Sequence, residues 1–436
     1  MIIHVVQPEE TIDSIADYYQ IPVARLVLDN GLNDSDSLVI GQSIVIAYPE
    51  VIYTVKEGDT LTGIAQNYHV DIMQLLRNNP HLLEREYLYI GETIVISYPT
   101  EGEITIHGNT NPTIDKTILR RTLPYLTYLS VLNYTATTEG EIITYFDDTE
   151  IIKIAKQYSV VPLMLLTTLT IKGEANIGIE YDILLNTQFQ NNYIQNILNI
   201  LRTKGYLGVN ISFQYLNISN LYLYNEFFTH IFNALNNEGF LVFVTINPNI
   251  TNVNNEVRFE KIDYSILNQL ANNIIFMHYD WATNINPPSP VSSIYNLDMF
   301  LAFINQYIPP DKVIIGISTI GYDWELPYMA GLSNINPITL ENAINLARNY
   351  NAIIQFDEIS QTPFFRYALN NNEDTIHHIV WFIDARSINS LLDLITKYVL
   401  QGTGIWNITI FNPQLWLIIN SQYTIKKFLP GYFSIE

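Results

Sequence analysis

The chain has no cysteine among its 436 residues. That excludes disulfides, thiolate nucleophiles and cysteine metal sites, and it leaves the redox compartment unspecified. Basic residues are scarce: 21 Lys and Arg stand against 43 Asp and Glu, for a formal net charge of -22. Such a charge repels phosphate backbones and anionic lipids, so nucleic acid and membrane surfaces are disfavoured as partners and a neutral, hydroxyl-rich ligand such as a glycan is favoured. Charged residues make up only 15% of the chain against 48% hydrophobic and 12% aromatic, a globular composition. The start, Met1 to Pro8, lacks a basic stretch followed by a long apolar one, and no later uncharged span of membrane length is free of strand or turn punctuation. Neither a signal peptide nor a membrane segment is expected. A Gly-rich phosphate loop is also missing, and the adjacent His377 and His378 would face opposite sides of a strand, so no metal or other cofactor is expected.

What is present is too long for one ordinary domain. Residues 1–49 slide onto 50–99 as an internal repeat: Glu10-Thr11-Ile12 falls on Asp59-Thr60-Leu61, Ile15-Ala16 on Ile64-Ala65, Asn30 on Asn79, and Gly41 to Ile46 on Gly91 to Ile96. An acidic-Thr pair before an apolar stripe reads as a helix start, and each unit is expected to run strand, helix, helix, strand. The second copy, Tyr53-Thr54-Val55-Lys56-Glu57-Gly58-Asp59-Thr60-Leu61, resembles the LysM module almost letter for letter. The resemblance implies a shallow groove for peptidoglycan or other N-acetylglucosamine glycans, and by carry-over it places Gly58, Asp59, Thr60, Asn79 and Pro80 there. The first copy reads Pro8-Glu9-Glu10-Thr11 at the same turn, which puts its binding in doubt.

From residue 100 onward, apolar β-rich runs alternate with helical patterns. Candidate strands are Ile104–Ile106, Tyr128–Val131, Pro162–Leu166, Gly208–Phe213, Leu241–Ile246, Ile274–Tyr279, Val313–Ser318 and Thr403–Asn407. Eight such alternations predict an α/β fold, a (β/α)8 TIM barrel over residues 100–436, with a small α+β insertion over about 353–381. In the fourth strand Val209, Ile211 and Phe213 alternate with Asn210, Ser212 and Gln214, so the three neutral polar residues should line the barrel mouth.

The motifs Gly205 to Asn210, Met277 to Trp281, Gly321 to Tyr328, Trp381 to Ser387 and Trp406 resemble glycoside hydrolase family 18, in particular bacterial spore peptidoglycan hydrolases with two N-terminal LysM modules. In that family's DxxDxDxE pattern the last Glu protonates the leaving oxygen, and the Asp two residues before it orients the sugar's acetamido group, whose oxygen attacks. The matching positions here are Leu207, Asn210, Ser212 and Gln214, so all four acids are missing, although Asn is common at the second place in the spore-type branch. A carboxamide cannot shuttle a proton. Carry-over gives Tyr279, Asp280 and Trp406 as sugar-contacting residues, with Gln214 beside them; aromatics fill such barrels regardless of function.

Three readings stay open: a spore-envelope glycan-binding protein with an inactive barrel, an active cortex N-acetylglucosaminidase with a displaced acid, or a self-assembling coat protein. Asp280, Asp323, Glu325 and Glu226 are the candidate displaced acids, with Asp323 and Glu325 equally read as loop or capping residues. The resemblance also implies a spore-envelope location after synthesis in the mother cell, with peptidoglycan, other coat proteins or further copies of the chain as partners.

Overall fold

In a computed structural model the described residues are 1–33, 37–85, 87–137, 139–168, 177–212, 216–248, 250–253, 256–277, 287–370 and 375–428. Two small repeats open the chain. The first runs through strand Ile2–Val5, helices Ile12–Tyr19 and Val23–Asn30, and strand Ser43–Ile46, the two strands pairing antiparallel. The second repeats that order through Val51–Thr54, Leu61–Tyr68, Ile72–Asn78 and Thr93–Ser97. Thr11 and Thr60 start the first helix of each unit by accepting the backbone N–H of Ser14 and Gly63 at 3.1 and 3.0 Å. Both helices then stop at a left-handed residue, Gln20 or His69.

The barrel follows. Its strands are β1 (Gly102–Thr110), β2 (Tyr128–Ala136), β3 (Val161–Thr167), β4 (Gly208–Ser212), β5 (Leu241–Ile246), β6 (Asn273–Phe276), β7 (Val313–Ser318) and β8 (Gly402–Trp406). All pair in parallel, and β8 pairs back to β1 to close the ring. The interior is packed, as a barrel of this size requires. Phe243 of β5 meets the rings of Tyr128 and His107 edge-on at 4.7 and 5.9 Å. Higher up, Met277 lies across β7 and β8, where only glycines leave room: a Cβ on Gly316 would sit 2.1 Å from the Met277 Sδ, and one on Gly404 3.0 Å from its Cε.

Between β7 and β8 the chain builds a separate five-stranded antiparallel sheet with helix Leu340–Asn349 on one face. This lobe is larger than the 353–381 expected, because its first strand, Ile320–Leu326, starts directly after β7. Tyr322 and Trp324 alternate there with Asp323 and Glu325, so a stretch read as loop is a strand with two distinct faces.

The first repeat docks onto this assembly. Ile354 of the lobe donates its backbone N–H to the Ile40 carbonyl at 3.0 Å, and Arg386 donates to the Gly41 carbonyl at 3.1 Å. Val39 enters the lobe's own apolar cluster with Ala343, Ala347 and Val380. The second repeat is tied by buried Arg77, which donates to the Pro124 carbonyl at 3.2 Å and to Asn420 at 3.3 Å. No helix among the described residues is long and apolar enough to cross a membrane.

Candidate functional site

The C-terminal ends of the barrel strands form the mouth where such folds do their chemistry. On β4, Val209 and Ile211 are buried outward, and Asn210 points inward, fully buried. Its Oδ1 accepts from Thr245 Oγ1 of β5 at 2.8 Å, while its Nδ2 has no hydrogen-bond partner. Ser212, half-buried, stands opposite Thr245 in the β4–β5 register. Leu207 faces the other way and packs against the apolar core. Gln214, Tyr279 and Asp280 lie outside the described residues.

Beneath these groups His107 is fully buried in the barrel, 2.7 Å from Ser130 Oγ through Nε2 and with Nδ1 unpartnered. Burial pushes its imidazole down to about 3, so it is neutral at ordinary pH. Sequence reasoning passed over His107, although its inward register between Thr105 and Asn109 on an alternating strand was the available signal.

Trp406 ends β8, half-buried, with a cis peptide to Asn407. Thr319 pins it by donating its backbone N–H to the Trp406 carbonyl at 3.1 Å. The lobe adds aromatics that the sequence reading did not assign to the site: Tyr322 and Trp381 pack against the barrel cluster, and Phe364 stacks on Trp381 at 4.5 Å. The indole N–H groups of Trp324 and Trp381 have no acceptor.

Among the described residues the eight barrel strands carry one acid, Glu103, which lies exposed at the start of β1, the end away from the mouth, 3.6 Å from Lys426. Glu226 is exposed on the outer helix Leu221–Asn236. Asp323 is buried in the lobe, accepting from Tyr367 OH at 2.7 Å and bonded to His378 Nδ1 at 3.0 Å. It is therefore a packing residue of the lobe, not the loop or cap expected. Glu325 shares that face and accepts from Asn334 at 2.8 Å. Glu180, on helix Ile177–Leu185 and not singled out in the sequence, is fully buried and accepts from Thr168, the residue after β3, and from Tyr224. Among the described residues no cluster of His, Asp and Glu could hold a metal ion.

The two repeats differ in what their loops meet. Asp59 accepts from the Lys56 backbone N–H and from Tyr53 OH, both at 2.7 Å, and these bonds hold its carboxyl below the usual range. Glu10 does the same for Gln7 and His4 in the first repeat. Asn79, carried into the groove by resemblance, is instead fully buried: its Oδ1 accepts from Val95 N at 2.8 Å and its Nδ2 donates to Leu75 and Val95 carbonyls. It ties the second helix to the closing strand, as Asn30 does in the first repeat. Before that strand the second repeat exposes Tyr87, Tyr89 and Ile90, at 64, 53 and 70%. In the first repeat the residue matching Tyr89, Val39, is buried against the lobe.

The pattern of Glycosyl hydrolases family 18 matches residues 115–410, and that of the LysM domain matches 4–47 and 53–97. The chain belongs to glycosyl hydrolase family 18. Family relatives match along nearly the whole chain. YdhD of Bacillus subtilis (strain 168) is 31% identical over 98% of this chain and 100% of its own, and the cortical fragment-lytic enzyme of Bacillus anthracis is 28% identical over 97% and 98%. The crystal structure of the Bacillus cereus spore cortex-lytic enzyme SleL superposes with a TM-score of 0.78 at 28% identity, covering 98% of this chain and 99% of that one. The arrangement of barrel, lobe and both LysM modules is thus shared with SleL. Within the matched stretch, positions 207, 210, 212 and 214 are Leu, Asn, Ser and Gln.

Proposed function

We propose that the protein binds N-acetylglucosamine-containing glycan of the spore envelope, peptidoglycan above all, and does not cleave it. The carrying observation lies at the positions that match the family's acids: position 214 is Gln, position 212 is Ser, and no described barrel strand offers an acid at its C-terminal end. General acid catalysis needs a group that loses and regains a proton, a contribution of about 100- to 10,000-fold that an amide does not supply. Ser212 also removes the charge that would stabilise a cationic intermediate. In this reading Trp406, with Tyr279, Asp280 and Gln214, forms the sugar surface of the barrel, and the exposed tyrosines of the second LysM module supply aromatic faces for sugar rings.

The kinship with spore cortex-lytic enzymes supports the substrate class and the spore-envelope location, and it is also what favours the rival reading of an active cortex N-acetylglucosaminidase. That reading needs a displaced acid, for which the candidates are Asp280, by resemblance, and Glu180, which accepts from Thr168 just after β3. Incubation with spore-cortex peptidoglycan separates the two: retention without muropeptide release is expected, and release that Asp280→Asn abolishes would establish the rival. A coat-building role alone would leave the purified protein silent in glycan calorimetry while it self-assembles.

A further inference from the structure

The seam where both LysM modules meet the barrel gathers positive charge. Arg25 comes from the second helix of the first module, Arg77 from the second helix of the second, and Arg121 from helix Lys116–Thr122, which follows β1. All three line one small cavity of about 20 Å³, in a chain whose net charge is -22. Among the described residues of its wall the one carboxylate is Asp29, which is engaged by Arg25 Nε at 2.7 Å. Arg121 lies over the Phe411 ring at 4.0 Å.

Arg77 carries the argument. It is 5% exposed and forms no ion pair among the described residues: Nε donates to Asn420 Oδ1 and Nη1 to the Pro124 carbonyl, both neutral acceptors. Its Nη2 makes no hydrogen bond among them. Arg25 donates to Asp29 through Nε and to Tyr98 OH through Nη2 at 2.6 Å, which leaves its Nη1 in the same condition. A guanidinium offers five N–H donors in a fixed fork, so both side chains keep donors for a guest. Taking a charge out of water without a counter-charge is unfavourable, and a bound anion offsets it.

Neighbouring groups feel the same positive field. Burial pushes the Arg77 guanidinium down to about 10, opposed by Asp71 and Tyr125, and leaves it charged at neutral pH. Burial, then the charges of Arg85, Arg25 and Arg121, push the His81 imidazole down to about 4 against the pull of Glu92. Burial and Arg77 also hold the Lys427 ammonium well below its usual range.

Size selects the guest. On the order of 10–15 Å³ of such space holds one water molecule, so a cavity of about 20 Å³ takes a single monatomic anion and excludes a sulfate, a phosphate or a sugar carboxylate.

We infer that this seam is a chloride site, in which one halide ion accepts hydrogen bonds from Arg25 and Arg77 beside Arg121 and ties both LysM modules to the barrel. The inference goes beyond the glycan-binding reading and is independent of whether the barrel cleaves.

A crystal of the full chain grown in sodium bromide, with anomalous scattering to identify the ion, tests it. We expect a bromide peak within hydrogen-bond reach of Arg25 Nη1 and Arg77 Nη2. In solution the melting temperature should rise and saturate with sodium chloride, relative to sodium gluconate at the same ionic strength, because the larger anion does not fit. Arg77→Met should abolish that chloride-specific rise, and Arg121→Met should raise the half-saturating chloride concentration at least ten-fold. Density at the seam without anomalous signal, or wild-type melting temperatures that coincide in chloride and gluconate across the titration, overturns the inference.

Discussion

Gly41 offers the sharpest probe of the docked first module. It sits at φ +85, and a Cβ there would lie 2.0 Å from the Ile354 carbonyl oxygen of the lobe. Gly91, its repeat partner, has φ +86 and nothing within 4 Å of the same added atom. Alanine at either position carries the same left-handed backbone penalty, about 1–2 kcal/mol. Only at Gly41 must the lobe also move away, breaking the bonds from Ile354 N–H and Arg386 to the Ile40 and Gly41 carbonyls. Two such bonds contribute roughly 1–3 kcal/mol together. Amide hydrogen exchange at Ile354 reads the difference directly. Gly41→Ala should lower its protection by roughly thirty-fold, the equivalent of about 2 kcal/mol, whereas Gly91→Ala leaves it unchanged. Equal effects of the two variants at Ile354 would refute the docking argument.

Acid should weaken the barrel through His107. The unfolded chain takes up that proton below the ordinary value of 6.5, and the folded chain resists until about 3, so the stability the neutral ring supports is complete above 6.5 and is lost steadily on acidification. At pH 4 the loss amounts to about 3 kcal/mol. Urea titrations at pH 7 and pH 4 should show a shallower pH slope for His107→Gln than for the wild type, and parallel slopes would contradict the assignment. In the second LysM module, Tyr87→Ala/Tyr89→Ala should weaken peptidoglycan binding in pelleting assays about thirty-fold if each stacked ring contributes around 1 kcal/mol, while Glu10→Ala in the first module should leave it unchanged. Restoring the acids with Ser212→Asp/Gln214→Glu should produce measurable chitooligosaccharide turnover, checked by product chromatography. Either single change should fall well short of the pair.

Much of this architecture could be read from residue order. The repeat at the front and the eight barrel strands announced themselves through apolar alternation, and the observed β4, Gly208–Ser212, differs from the expected strand only at its end. The lobe was harder. Ile320–Leu326 has strand alternation, but Asp and Glu on one of its faces look solvated until a His and a Tyr from neighbouring strands come across to meet Asp323. Asn79 misled for a related reason: an Asn after a helix reads as loop, and only the fold shows both ends of its amide consumed by Leu75 and Val95. No local pattern could announce the seam between the first module and the barrel's last helix, where Gln414 donates to Asn30 across hundreds of residues of sequence.

Purified full-length protein, incubated with spore-cortex peptidoglycan and followed by mass spectrometry of the soluble fraction, addresses the silent mouth most directly. The account predicts that the protein sediments with the insoluble glycan and that no muropeptide accumulates above the level of a protein-free control. Time-dependent release of muropeptides by the wild-type chain would contradict it.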